Sequence, residues 1–135
     1  GRTMMILTAM LLQASAQAAQ PKVDCKEPMT QMAMNICAGR DYEAADRKLN
    51  AVWKKVSAEM KQLDADTDIQ DGRPGYFQTL LTAQRAWLVY RDTHCRSEGY
   101  LARGGSMEPM LISGCKAQLT RARTAQLREL IDWPN

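Results

Sequence analysis

Residues 95–115, CRSEGYLARGGSMEPMLISGC, hold the decisive pattern. Cys95 lies nine residues before Gly104, and Cys115 lies ten residues after Gly105. Apolar residues recur at helical spacing on both sides, so two helices run away from the Gly-Gly turn with nearly equal arms. Equal arms set the two sulfurs side by side across an antiparallel hairpin. A bridge there requires an oxidising compartment. Small helical domains stapled in this way are more often binders than catalysts.

The helices extend outward from this turn. The arm before it spans residues 76–101, with its stripe at Phe77, Leu80/Leu81, Gln84, Trp87/Leu88, Arg91 and Cys95. The arm after it spans residues 107–131, with Leu111, Cys115, Leu119, Ala122, Leu127 and Leu130/Ile131 on one face. Pro109 is tolerated in a first helical turn. Upstream, residues 64–75 (DADTDIQDGRPG) have no apolar period and read as a loop. Before them a long stripe starts near Thr30, a capping residue, and steps through Met34, Ala38, Tyr42, Ala45, Leu49, Val52, Val56, Met60 and Leu63. Gly39 is its weak point, at about 1 kcal/mol relative to Ala. No strand pattern or internal repeat occurs. The fold class is all-α, an antiparallel three-helix bundle stapled by two disulfides.

Residues 1–18 read as a separate leader. A short apolar run (MMILTAMLL) precedes Ala16-Gln17-Ala18, a small-x-small cleavage pattern, and is too short to span a bilayer. The chain opens on Gly, which reads as a truncated start or a cloning scar. Residues 19–135 form the single mature domain. Removing Arg2 with the leader lowers the formal charge from +3 to +2, a balance that offers nothing to nucleic acid. No stable membrane anchor is expected after cleavage. The protein is expected to be periplasmic or secreted.

Four cysteines in an exported chain allow three pairings into two disulfides. Cys25–Cys37 with Cys95–Cys115 is preferred, because each closes a short local loop. Zinc is the competing use of the sulfurs. However, no C-x-x-C occurs, and the one histidine, His94, adjoins a cysteine. No metal and no cofactor are expected.

Arg91 is the most informative charged residue. A guanidinium on an apolar helix face needs a carboxylate, since an unpaired buried charge costs several kcal/mol. Asp46, one turn after Tyr42 on the first helix, is the expected partner, with Tyr42 and Gln84 as polar neighbours and Asp92 or Glu43 as substitutes. The pair reads as a structural network. As an acid/base centre it lacks a nucleophile and a second placed carboxylate. His94 with Cys95 would need a free thiol.

Asp64, Asp66 and Asp68 have the alternate spacing that opens an EF-hand loop. Ile69 and Gly75 then replace its diagnostic Gly and Glu. The stretch reads instead as a solvated acidic loop or a partner-binding one, with Asp71 and Arg73 completing it. Met29, Met32 and Met34 suggest copper(I) chemistry or ordinary packing, and packing is preferred. The cations of the last helix (Lys116, Arg121, Arg123, Arg128) read as a solvated face.

The order of these features resembles a known family. Residues 25–38 (CKEPMTQMAMNICA) are followed by Tyr42, Ala45-Asp46, Leu49-Asn50, then Ala83-Gln84-Arg85-Ala86-Trp87, Tyr90-Arg91-Asp92, Cys95, Gly104-Gly105-Ser106, Cys115, Thr120 and Arg123. The chain is similar in this to the exported bacterial domain family named after the lysozyme inhibitor LprI. The resemblance implies an all-helical, disulfide-bonded exported domain and, by the family's name, inhibition of lysozyme. It supplies no active-site set.

The expected function is therefore non-enzymatic: a binding protein that occludes a lysozyme or another peptidoglycan-cleaving enzyme. Asp64, Asp66, Asp68, Asp71 and Arg73 are its expected contact. The competing readings are an immunity protein against a cell-wall toxin and an envelope module for a small ligand or metal.

Overall fold

Thr30 opens the first helix with an extended backbone (φ −117°, ψ 158°). Its hydroxyl accepts a hydrogen bond from the Ala33 amide at 3.0 Å, satisfying one free donor of the first turn. In the computed structural model, which describes residues 22–132, helix α1 (Gln31–Asp66) then runs 36 residues, roughly 54 Å at 1.5 Å per residue. Gly39 lies inside it without interrupting it. The leader at residues 1–18 and the Trp133-Pro134-Asn135 terminus lie outside the described residues.

The helix passes the expected loop boundary and takes in Asp64 and Asp66. The apolar stripe ends at Leu63, but the backbone bonds continue one more turn. The Gln62 amide supports that turn by donating to Asp66 at 2.9 and 3.0 Å. Helix α2 (Tyr76–Gly99) ends two residues before the expected limit, and a 3-10 turn, Tyr100–Ala102, follows. A close approach marks this junction. A Cβ at Gly99 would stand 2.5 Å from Ile112 Cγ1, so the two arms touch backbone to side chain at this point. Gly104, at φ +77°, then turns the chain, and its amide donates to the Glu108 carboxylate at 2.9 Å. Helix α3 (Glu108–Ile131) starts one residue later than expected.

The path is up, down, up. Helices α1 and α3 are parallel and share the most extensive contact, and α2 runs against both. At the start of both parallel helices, the Asn35 amide donates to the Ser106 carbonyl at 2.8 Å, and Arg121 pairs with Asp41 further along. Both disulfides are the preferred ones: Cys25–Cys37 with Cα atoms 5.5 Å apart, and Cys95–Cys115 with Cα atoms 5.4 Å apart.

The core changes character along the bundle. In the half nearest the α1–α2 loop it is apolar: Leu49, Val52, Val56, Met60, Leu80 and Leu127 pack together, flanked by Trp53, Phe77, Trp87 and Ile131. Each such side chain contributes about 1.5–3 kcal/mol by burial. In the other half the buried apolar residues are small, Ala33, Ala45 and Ala117, with the Cys95–Cys115 bridge and Thr120 between them. Little apolar area is available there, and a covalent bond supplements it.

Candidate interaction site

The loop between α1 and α2 is folded on itself by its own carboxylates. Asp64, at the end of α1, reaches across to the start of α2. Its Oδ1 accepts from the Tyr76 amide at 2.7 Å and its Oδ2 from the Phe77 amide at 3.1 Å. Two free donors of α2 are thus satisfied by one side chain, which also places negative charge at the helix's positive end. Gly75 makes the cap feasible, because a Cβ there would lie 2.6 Å from Asp64 Oδ1. Asp71 closes a second turn. Its carboxylate accepts from the Arg73 amide at 3.0 Å and from Arg73 Nε at 2.7 Å, and these bonds hold its carboxyl below the usual range although it is solvent-exposed. Gly72 takes the left-handed conformation, φ +77°, between them. Asp68 accepts from the Gln70 side-chain amide at 2.9 Å.

Four aspartates against one arginine give residues 64–75 a formal charge of −3 on a chain of +3. Exposed apolar side chains sit beside them: Leu63, Ile69 and Tyr76 here, and Leu130 at the neighbouring end of α3. Asp66, Leu63, Tyr76, Leu130 and Ile131 line one depression of about 560 Å³. A larger groove, about 770 Å³, opens on the α2 side of the loop.

Arg91 occupies the middle of the bundle, with only 8% of its side chain exposed. Its Nε donates to Asp92 at 2.9 Å, while Nη1 stands 3.5 Å from Asp46 and 3.4 Å from the Thr120 hydroxyl. Asp92 is therefore the closer partner. The guanidinium also lies between two rings, 5.3 Å from Tyr42 and 5.2 Å from Trp87. Lys116 adds a second cation, 3.8 Å from Asp92 and 5.5 Å from the Tyr42 ring. Burial pushes the Tyr42 phenol above its ordinary value, opposed by Arg91 and reinforced by Asp46 and Asp92. Gln84, expected beside Arg91, instead accepts from Arg123 Nε at 2.9 Å, a register that places it on the α3 side. Partial burial pulls Arg123 below the ordinary arginine value. The network joins three helices.

His94 stacks on Tyr90 at 5.3 Å and lies 3.3 Å from Glu98. Among the described residues, His94, Glu98 and Cys115 form a trio of ligand-type atoms within 4.8 Å, but the Cys115 sulfur is held in its bridge and offers no thiolate. Met29 and Met32 are exposed, 86% and 62%, while Met34 is half-buried on α1. Among the described residues no helix is long and apolar enough to cross a membrane.

Fold and site together define a small disulfide-braced helical module whose central polar residues contact one another and whose loop end presents charge and apolar surface outward. The chain belongs to the lysozyme inhibitor LprI family, whose model matches residues 24–127. Similar to it is an uncharacterized protein, R02472, of Rhizobium meliloti (strain 1021), 51% identical over 120 residues that cover 88% of this chain and 86% of the relative. No solved structure matches the chain. The motif residues Tyr42, Asp46, Trp87, Arg91, Asp92, Thr120 and both members of the Cys95–Cys115 bridge fall in the Arg91 network or beside it.

Proposed function

We propose that this protein is an exported, non-enzymatic binder that blocks a peptidoglycan-cleaving enzyme of the lysozyme kind by occlusion. Its leader is residues 1–18, and residues 19–135 are the mature domain, released to the periplasm or the exterior. The observation that carries this reading is the family match over residues 24–127. Two features support it. The polar residues at the centre of the bundle are occupied with one another, which leaves recognition to the periphery. The loop end, with Asp64, Asp66, Asp68, Asp71 and Arg73, concentrates negative charge that a cationic partner would meet, and charge complementarity of this kind steers association. An immunity protein against a delivered cell-wall toxin would use the same occlusion.

The test is lysis of bacterial cell walls by lysozyme, followed by turbidity, with the purified protein added. Loss of lytic activity at stoichiometric protein is expected. Full activity at a large molar excess would discard the inhibitory role.

A further inference from the structure

The larger groove beside the loop has two unlike walls. Ile69 and Pro74 form the loop side, Tyr76 stands at the start of α2, and Thr79, Ala83 and Ala86 further along α2 form the other. The helix wall is uncharged and its side chains are short, so the floor is open to a side chain from outside. The rim is acidic. Asp71 lines it, and exposed Asp68 adjoins Ile69, itself 61% exposed. Arg73 is engaged with Asp71, while Asp68 accepts from a neutral amide, that of Gln70. The face continues beyond the groove through Val89 and Tyr90, exposed at 67% and 54%.

We propose that this groove seats an apolar side chain of the target enzyme, carried on a segment whose neighbouring basic residues meet Asp68 and Asp71. The inference rests on the inhibitory reading above and extends the contact from the loop onto α2. The occupant follows from charge: residues 64–75 carry −3 on a chain that is otherwise cationic, so the complementary surface is basic. An anchor side chain seated in a concave pocket that excludes water, inside a polar rim, is the usual form of an interface hot spot. A second copy fits less well. Two α2 faces paired about Ala86 would bring exposed Arg85 against the same residue of its copy.

The experiment uses the full chain with an animal-type lysozyme as probe, reading binding by calorimetry and inhibition by turbidity. Ala83→Trp and Ala86→Trp fill the groove from exposed helix positions, and Asp68→Lys reverses the rim charge. Ala122→Trp adds the same bulk at an exposed position of α3 as a control. Each of the first three should weaken inhibition about tenfold or more while circular dichroism stays unchanged, and the control should inhibit fully. Undiminished inhibition by both groove-filling variants, with an active wild type, overturns the groove and leaves the inhibitory function standing. A wild type that neither binds nor inhibits overturns both. A sedimenting dimer that Ala86→Trp dissociates assigns the groove to a second copy and also overturns the proposal.

Discussion

The two ends of α2 are secured by different means. At its C-terminal end the Cys95–Cys115 bridge is buried, Gly99 lies against Ile112, and Arg91 binds partners on α1 and on α2 itself and touches Thr120 on α3. At its N-terminal end one carboxylate, Asp64, holds the first two amides, and the loop around it is exposed. One end is locked covalently where the core is thin. The other is capped by hydrogen bonds next to the apolar cluster. The contact proposed for this loop needs a fixed base and a surface left clear, and this division supplies both.

The largest expected effect comes from the locked end. Replacing Cys95 and Cys115 together by Ala should destabilise the bundle by roughly 3 kcal/mol in the chain-entropy model. The Cys25–Cys37 bridge makes the sharper contrast. Sequence separations of 20 and 12 residues differ by only roughly 0.5 kcal/mol in the same model, so loop length alone predicts near equality. Burial predicts inequality. Cys25 is exposed, and its bridge ties down a segment, residues 22–30, that contributes nothing to the main apolar cluster. Losing it should let that segment fray at about 1 kcal/mol or less. Denaturant midpoints of the two double variants decide between length and burial, and equal losses would break the contrast between locked and peripheral regions. Graded reduction with mass-resolved alkylation checks the same point: Cys25–Cys37 should open first.

Next in size is Arg91→Ala. Asp46 and Asp92 are partly exposed, 38% and 46%, so they remain hydrated when the cation is gone, and the cost stays below that of breaking a fully buried pair. What is lost is the guanidinium packed between the Tyr42 and Trp87 rings, roughly 2–3 kcal/mol. Arg91→Lys keeps the charge but not the planar stacking and should recover only part of it. Full recovery in urea melts would show that charge alone matters at this end.

Much of the locked end was legible in the sequence, and little of the capped end was. Equal arms about Gly104-Gly105 are a local relation, so the cysteine pairing could be read from spacing. Arg91 stood out because it interrupts an apolar stripe. Its closest carboxylate proved to be Asp92, its own neighbour, because the guanidinium lies along α2 and not straight across to α1. Gln84 went to Arg123 because periodicity assigns a face but not the sliding register of α3. The Asp64 cap left no trace in the sequence. Its carboxylate meets amides 12 and 13 residues away, whereas the capping patterns legible in sequence span three or four. The exposed last turn of α1 was likewise invisible, since it carries no apolar residue past Leu63 on the stripe.

A smaller effect tests the capped end. Asp64→Ala should cost about 1 kcal/mol, the usual worth of a helix cap, with α2 amides near Tyr76 exchanging faster and those near Cys95 unchanged. Gly75→Ala should produce the same local signature, because its methyl group would displace the Asp64 carboxylate. Uniform acceleration along α2 would mean that the two ends unfold as one unit and that the division between them is not energetic.

The smallest effect is a pH dependence at the boundary between the two halves. Tyr42 is half-buried against Arg91, and burial raises its phenol above the ordinary value of 10.0. The unfolded chain therefore gives up this proton first as the solution becomes alkaline, and folding holds it. The contribution of the neutral phenol is complete below about pH 10 and is lost as pH rises through the higher folded value. The alkaline limb of stability should therefore carry a contribution from Tyr42. Tyr42→Phe should flatten that limb and leave stability at neutral pH nearly unchanged, because the ring still covers the Arg91 guanidinium. A limb that keeps its slope in the variant would mean that the phenol is hydrated in the folded protein and that the Arg91 network is more open than its burial suggests.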